Sequence, residues 1–152
     1  MRILKEMLWV AIAIIFLILV QFPILNVIDY KYLIFNSIII ILAVYYVRMV
    51  LDFENTVIKF YKWFKYFFLV SNLFIFVVIV TRIQKSVLRF NAFTITSYTD
   101  SFVFLKTNEE SNLIHYIHSE YLLFCIIVLV GIIILNFKLF KSFWRKQNIS
   151  EI

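Results

Sequence analysis

The sequence predicts an all-α membrane protein with four transmembrane helices, and three observations support that class. Of its 152 residues, 64% are hydrophobic and 16% charged, whereas soluble domains are about half apolar and a quarter charged. Four apolar segments approach the ~20 residues that a helix needs to cross ~30 Å of hydrocarbon. Lysines and arginines collect at the ends of these segments, as they commonly do beside a membrane.

The chain is interpreted as one membrane domain over residues 1–152, whose predicted spans cover residues 7–28, 32–51, 60–81 and 119–137. A short turn joins the first two spans into a helical hairpin. A longer loop, 82–118, separates the third span from the fourth. Residues 87–105 of this loop fit either a small β-hairpin or an irregular loop on the membrane surface. Thr107 and Glu110 match a capping box, which predicts a helix start.

The distribution of positive charge predicts the orientation. If the N-terminus is cytoplasmic, or faces the matrix in an organelle, ten of the 15 lysines and arginines lie on the inner side and five on the outer side. Positive residues are enriched on the inner side of membrane proteins. We therefore expect both termini to face inward, with the 82–118 loop outside.

Polar residues within the spans are expected to form contacts between helices, because hydrocarbon offers them no partner. The candidates are Gln21, Asn26, Asn36 and Asn72. Counted from the predicted span ends, Gln21 and Asn72 have similar depth, which predicts that they pair. The centre of the fourth span contributes no such group. Five further residues are predicted to anchor helix ends at the membrane interface, namely Arg48, Lys62, Trp63, Lys138 and Trp144.

His115 and His118 form the one sequence pattern that resembles a reactive site. Their spacing of three places both imidazoles on one helical face, as two metal ligands require. A catalytic zinc needs a third protein ligand, and Glu120 lies two residues from His118, on a different face. The pair is therefore a weak metal candidate, and we expect neither a metal nor another cofactor. Cys125 is interpreted as a small apolar core residue.

The scarcity of flexible residues argues against transport machinery. The chain contains one glycine and one proline, whereas broken transporter helices and re-entrant filters depend on both residue types. Positive residues at span ends, rather than on one solvated face, argue against nucleic-acid binding. These features favour a non-catalytic accessory or structural subunit of a larger membrane complex, in contact with lipid and with other membrane subunits.

Two alternatives remain open from sequence. One is a free-standing small bacterial membrane protein with an immunity or stress role, which acts through residues 82–120. The other is a metal- or proton-handling membrane enzyme that uses His115 and His118. The residue usage, rich in Phe, Ile, Asn and Lys and poor in Gly, Ala and Pro, is typical of an AT-rich genome. It favours either a bacterial plasma membrane or a mitochondrial inner membrane.

Overall fold

A computed structural model describes residues 2–25, 31–55, 62–92 and 107–147, and all regular structure within these ranges is helical. The helices are α1 (Arg2–Leu25), α2 (Leu33–Leu51), α3 (Lys62–Ala92) and α4 (Thr107–Gln147), and a short 3₁₀ turn at Phe53–Asn55 follows α2. Each of the four α-helices contains a segment long and apolar enough to cross a membrane. The predicted fold class is thus confirmed, and the inward orientation of the termini stays a prediction.

Side-chain contacts show how the four helices run relative to one another. The residues in contact are Gln21 with Ser37 and Glu6 with Arg48 between α1 and α2, Asn36 with Glu120 and Val50 with Lys138 between α2 and α4, and Ser86 with His118 and Lys65 with Ser142 between α3 and α4. These contacts show that α1 is antiparallel to α2 and that α3 is antiparallel to α4. Helices α2 and α4 run parallel. The helices therefore alternate up and down. We call the end where α1 and α3 finish the loop end, and the opposite end the terminal end.

The centre of the bundle is the pair α2 and α4. Buried residues recur along α4 every three or four positions, as on one face of a helix, and include Phe124, Cys125, Val128, Ile132 and Leu135. They meet a buried face of α2 in a single hydrophobic core. Helix α1 packs mainly on α2, and α3 packs mainly on α4. The two central helices consequently hold the outer two.

The predicted loop at 82–118 is largely helical where the structure describes it. Helix α3 continues to Ala92, so both alternatives for this segment, the β-hairpin and the irregular loop, are wrong from Val87 to Ala92. Residues 93–106 lie outside the described ranges. Ile83, Ser86 and Phe90 all turn toward the bundle interior or α4, at the spacing of a helical face. This packing outweighs the strand preference of the local sequence. Helix α4 begins at Thr107, where the capping motif predicts a start.

A second hydrophobic cluster closes the loop end. Ile24 of α1 and Ile117 of α4 are buried there, and Leu33 of α2 and Phe90 of α3 pack against them. Phe90 therefore lies level with Ile24 and Leu33, although it is nine residues beyond the predicted end of the third span. The third helix is shifted along the bundle relative to that prediction. Arg82, which was expected outside the membrane, lies against Phe35 in the first turn of α2.

Candidate functional site

The candidate site is the set of polar side chains inside the bundle, and its loop-end member joins Asn36 to Glu120. The Asn36 amide Nδ2 donates a hydrogen bond of 3.0 Å to Glu120 Oε2, and both residues are buried. Two further buried atoms of this pair, Asn36 Oδ1 and Glu120 Oε1, have no hydrogen-bond partner among the described residues. Glu120 does lie away from His118, but it points into the core rather than outward. Sequence reasoning missed this buried carboxyl group.

A chain of two hydrogen bonds connects three helices near mid-bundle. The Tyr46 hydroxyl of α2 donates to Asn72 Oδ1 of α3 at 2.8 Å, and Asn72 Nδ2 donates to Asn136 Oδ1 of α4 at 2.7 Å. Asn72 uses its acceptor and its donor group together, so it couples all three helices. The expectation for the fourth span concerned only its centre, and Asn136, which lies near the end of that span, was not singled out from the sequence.

Gln21 has partners of its own on α2. Its side-chain amide donates to Ser37 Oγ at 2.9 Å and approaches the Leu33 carbonyl oxygen at 3.4 Å. The expected pairing of Gln21 with Asn72 is therefore wrong, because α3 is displaced and Asn72 lies deeper than the predicted span implies. Asn26, the remaining polar candidate, lies outside the described residues.

A buried lysine makes a polar contact between α3 and α4 at the terminal end. Lys65 is buried and donates to Ser142 Oγ at 2.7 Å, with its ammonium 5.3 Å from the centre of the Phe143 ring. Sequence reasoning counted Lys65 only among the ten positive residues of the inner side and missed this contact. The helical period contains a signal for it, since the buried α3 residues Lys65, Asn72, Ile79 and Ser86 are spaced by seven.

The predicted interface anchors occupy different environments. Arg48 forms an ion pair with Glu6 of α1, and both side chains are partly exposed. Lys138 donates to the backbone carbonyl of Val50 and thereby binds α4 to the end of α2. Trp63 and Trp144 are strongly exposed, as interfacial side chains would be. The side chain of Lys62 is outside the described part of the structure.

His115 and His118 share one aromatic neighbour. The His118 ring stacks on Phe90 with 4.1 Å between ring centres, and His115 meets Phe90 edge-on at 5.2 Å. His118 Nδ1 lies 3.5 Å from the hydroxyl of Ser86. Within the described ranges, no group of three His, Cys, Asp or Glu residues is placed to hold a metal ion. The pair thus contributes packing between α3 and α4.

Within the described ranges, the polar groups named above connect one helix to another and are spread along the bundle rather than gathered at one point. Each contact reaches from one helix to another, and the contacts are distributed from Gln21 near the loop end to Lys65 at the terminal end. Such bonds typically contribute about 0.6–2 kcal/mol each in membrane proteins. Neither a protein-family model, nor a curated protein, nor a solved structure matches this chain.

Proposed function

We propose that this multi-pass membrane protein is a non-catalytic accessory or structural subunit of a larger membrane protein complex. The observation that carries the proposal is the uneven burial of its helices. In the 18-residue apolar core of each span, 11% of residues are buried within the chain in α1 and in α3, compared with 33% in α2 and 39% in α4. The outer helices thus keep most of their surface free for lipid or for a neighbouring subunit.

The free surface of α3 supports a protein neighbour. Exposed aromatic side chains follow this helix from the terminal end to its middle, and they include Trp63, Phe64, Tyr66, Phe67 and Phe74. Helices in membranes associate through van der Waals packing, and large rigid rings supply much contact area. The polar groups of α3 described above are already bonded to α2 and α4. Shape rather than charge would therefore select the partner.

Site-specific photo-crosslinking in native membranes tests the subunit proposal. A photoreactive residue at Phe67 or Phe74 should give one discrete crosslinked product, and mild-detergent purification should recover the same partner in fixed stoichiometry. The matched control is Ile34 of α2, which is equally exposed but near the loop end. If the purified chain is a lone monomer and no α3 position crosslinks, the proposal fails.

The alternatives give different outcomes in the same preparation. A lone monomer or homo-oligomer would favour the free-standing protein, whose contact surface would include the packed helix ends around Phe90 and His118. One tightly held metal ion per chain, lost in both His115→Ala and His118→Ala, would favour the enzyme. The contacts of both imidazoles with Phe90 do not support metal chemistry, since a metal needs several converging ligands.

A further inference from the structure

A groove between α2 and α3 opens on the surface of the bundle toward the loop end. Both helices pack on α4 but make few backbone contacts with each other, and a cavity of about 200 Å³ lies between them. Its lining residues come from three helices and include Phe35 and Ile39 of α2, Phe74, Ile79 and Arg82 of α3, and Tyr121 of α4.

Burial distinguishes the base of this groove from its rim. Ile39, Ile79 and Tyr121 are buried and form the base, whereas Phe35 and Phe74 are exposed and form the rim. In a membrane, an exposed apolar rim of this kind would face lipid. A hydrocarbon chain suits such a groove, because it would supply the van der Waals contacts that the apolar lining lacks when the groove is empty.

Arg82 gives the groove a charged end. Its guanidinium lies 4.1 Å from the centre of the Phe35 ring, and no carboxylate forms an ion pair with it among the described residues. Lys85, one turn further along α3, is exposed and adds a second positive charge. From Phe74 to Arg82 the groove follows α3 for about 12 Å at 1.5 Å per residue. An apolar channel therefore ends in a positive charge toward the loop end.

We propose that this groove binds an anionic phospholipid, with one acyl chain between α2 and α3 and the phosphate at Arg82. A guanidinium suits the phosphate because its N–H groups can donate two parallel hydrogen bonds. The long side chain can reach toward the headgroups while its stem stays on the apolar wall. Positive side chains near the surface of a membrane that contains anionic lipid attract its headgroups electrostatically. The proposal does not depend on the subunit role.

Native mass spectrometry of the detergent-purified chain provides the test. The probes are phosphatidylglycerol and phosphatidylcholine with identical acyl chains, titrated separately. We expect tighter binding of phosphatidylglycerol, and Arg82→Gln should weaken that binding about fivefold while leaving phosphatidylcholine nearly unchanged. Lys141→Gln is the matched control, since it removes one exposed positive charge at the terminal end.

A second pair of variants tests the acyl-chain part independently. Val78→Trp fills the groove and should weaken both lipids, whereas Val77→Trp, an exposed neighbour that does not line the groove, should weaken neither. If Arg82→Gln does not fold, Arg82→Lys keeps the charge and should retain the preference for phosphatidylglycerol. Equal binding of the two lipids, or equal effects of Arg82→Gln and Lys141→Gln, overturns the proposal.

Discussion

Gly131 of α4 lies so close to Tyr46 of α2 that a Cβ atom added to the glycine would be 2.8 Å from the tyrosine Cβ. This distance is shorter than side-chain carbons adopt, so the two backbones approach closely only because position 131 lacks a side chain. Ala43 and Cys125, also small and buried, belong to the same core between α2 and α4. The single glycine of the chain is thus placed where the central helices meet.

We expect Gly131→Ala to destabilise the protein. Alanine in a helix normally gains about 0.5–1 kcal/mol over glycine, but overpacking costs about 1–3 kcal/mol, and the overpacked atom here is a rigid Cβ. The net loss should appear as a lower thermal midpoint in detergent, and Gly131→Leu should lose more. Val130→Ala, at an exposed neighbouring position, should change the midpoint little. An unchanged midpoint for Gly131→Ala would show that α2 and α4 are further apart.

The bond between Tyr46 and Asn72 should show energetic coupling. Tyr46→Phe should cost about 0.5–1.5 kcal/mol, and Asn72→Leu should cost more because it leaves both Tyr46 and Asn136 without their partner. The double variant should cost less than the sum of the two single variants. Unfolding in mixed micelles measures all three. Tyr45→Phe is the control, because Tyr45 is exposed; additive losses would exclude the hydrogen bond.

Glu120→Gln should preserve or increase stability. A glutamine keeps an acceptor for Asn36 Nδ2 and adds a donor that can serve the unpartnered Asn36 Oδ1. It also avoids burying a carboxylate charge, for which no cationic partner exists among the described residues. Glu120→Leu should destabilise the bundle, because Asn36 would lose its acceptor. Glu109→Gln, at an exposed site on α4, is the control. A large loss in Glu120→Gln would contradict this account.

Gln21→Leu and Asn72→Leu should have additive effects on the free energy of unfolding. The two amides have no partner in common, and their respective partners on α2, Ser37 and Tyr46, are nine residues or about 13 Å apart along the helix. Sites at such separation usually add within about 0.5 kcal/mol. The double variant, measured by the same unfolding assay, tests this expectation. If it loses no more free energy of unfolding than one single variant does, Gln21 and Asn72 pair directly after all.

Topology is tested by thiol labelling in a Cys125→Ser background. Single cysteines at Thr99 and Asn148 should react with an impermeant reagent from opposite sides of the membrane, because the one span of α4 separates these positions in the sequence. The charge asymmetry predicts that Asn148 reacts from the inner side. Labelling of both positions from one side would require a different number of spans.

The helical class could be predicted from the sequence because it depends on local quantities. Apolar length and composition identify the four spans, and the capping pair predicts the start of α4 at Thr107. Neither the β-hairpin nor the irregular loop that the sequence allowed is found from Val87 to Ala92, because strand preference is also local, whereas the packing of Ser86 and Phe90 on α4 is not. Hydropathy counts apolar residues but does not state which face of a helix they occupy.

The pairing of polar groups was decided by tertiary structure. Gln21 and Asn72 were each predicted to be interhelical, but their partners depend on the displacement of α3 along the bundle, which no span boundary reveals. Lys65 and Glu120 became buried because their helices turn those positions inward. The sequence by itself determined that four helices form and that their polar residues need partners. Only the packing decided which residue meets which. It fixes the rotation and the depth of each helix, and these two quantities depend on all neighbouring side chains together.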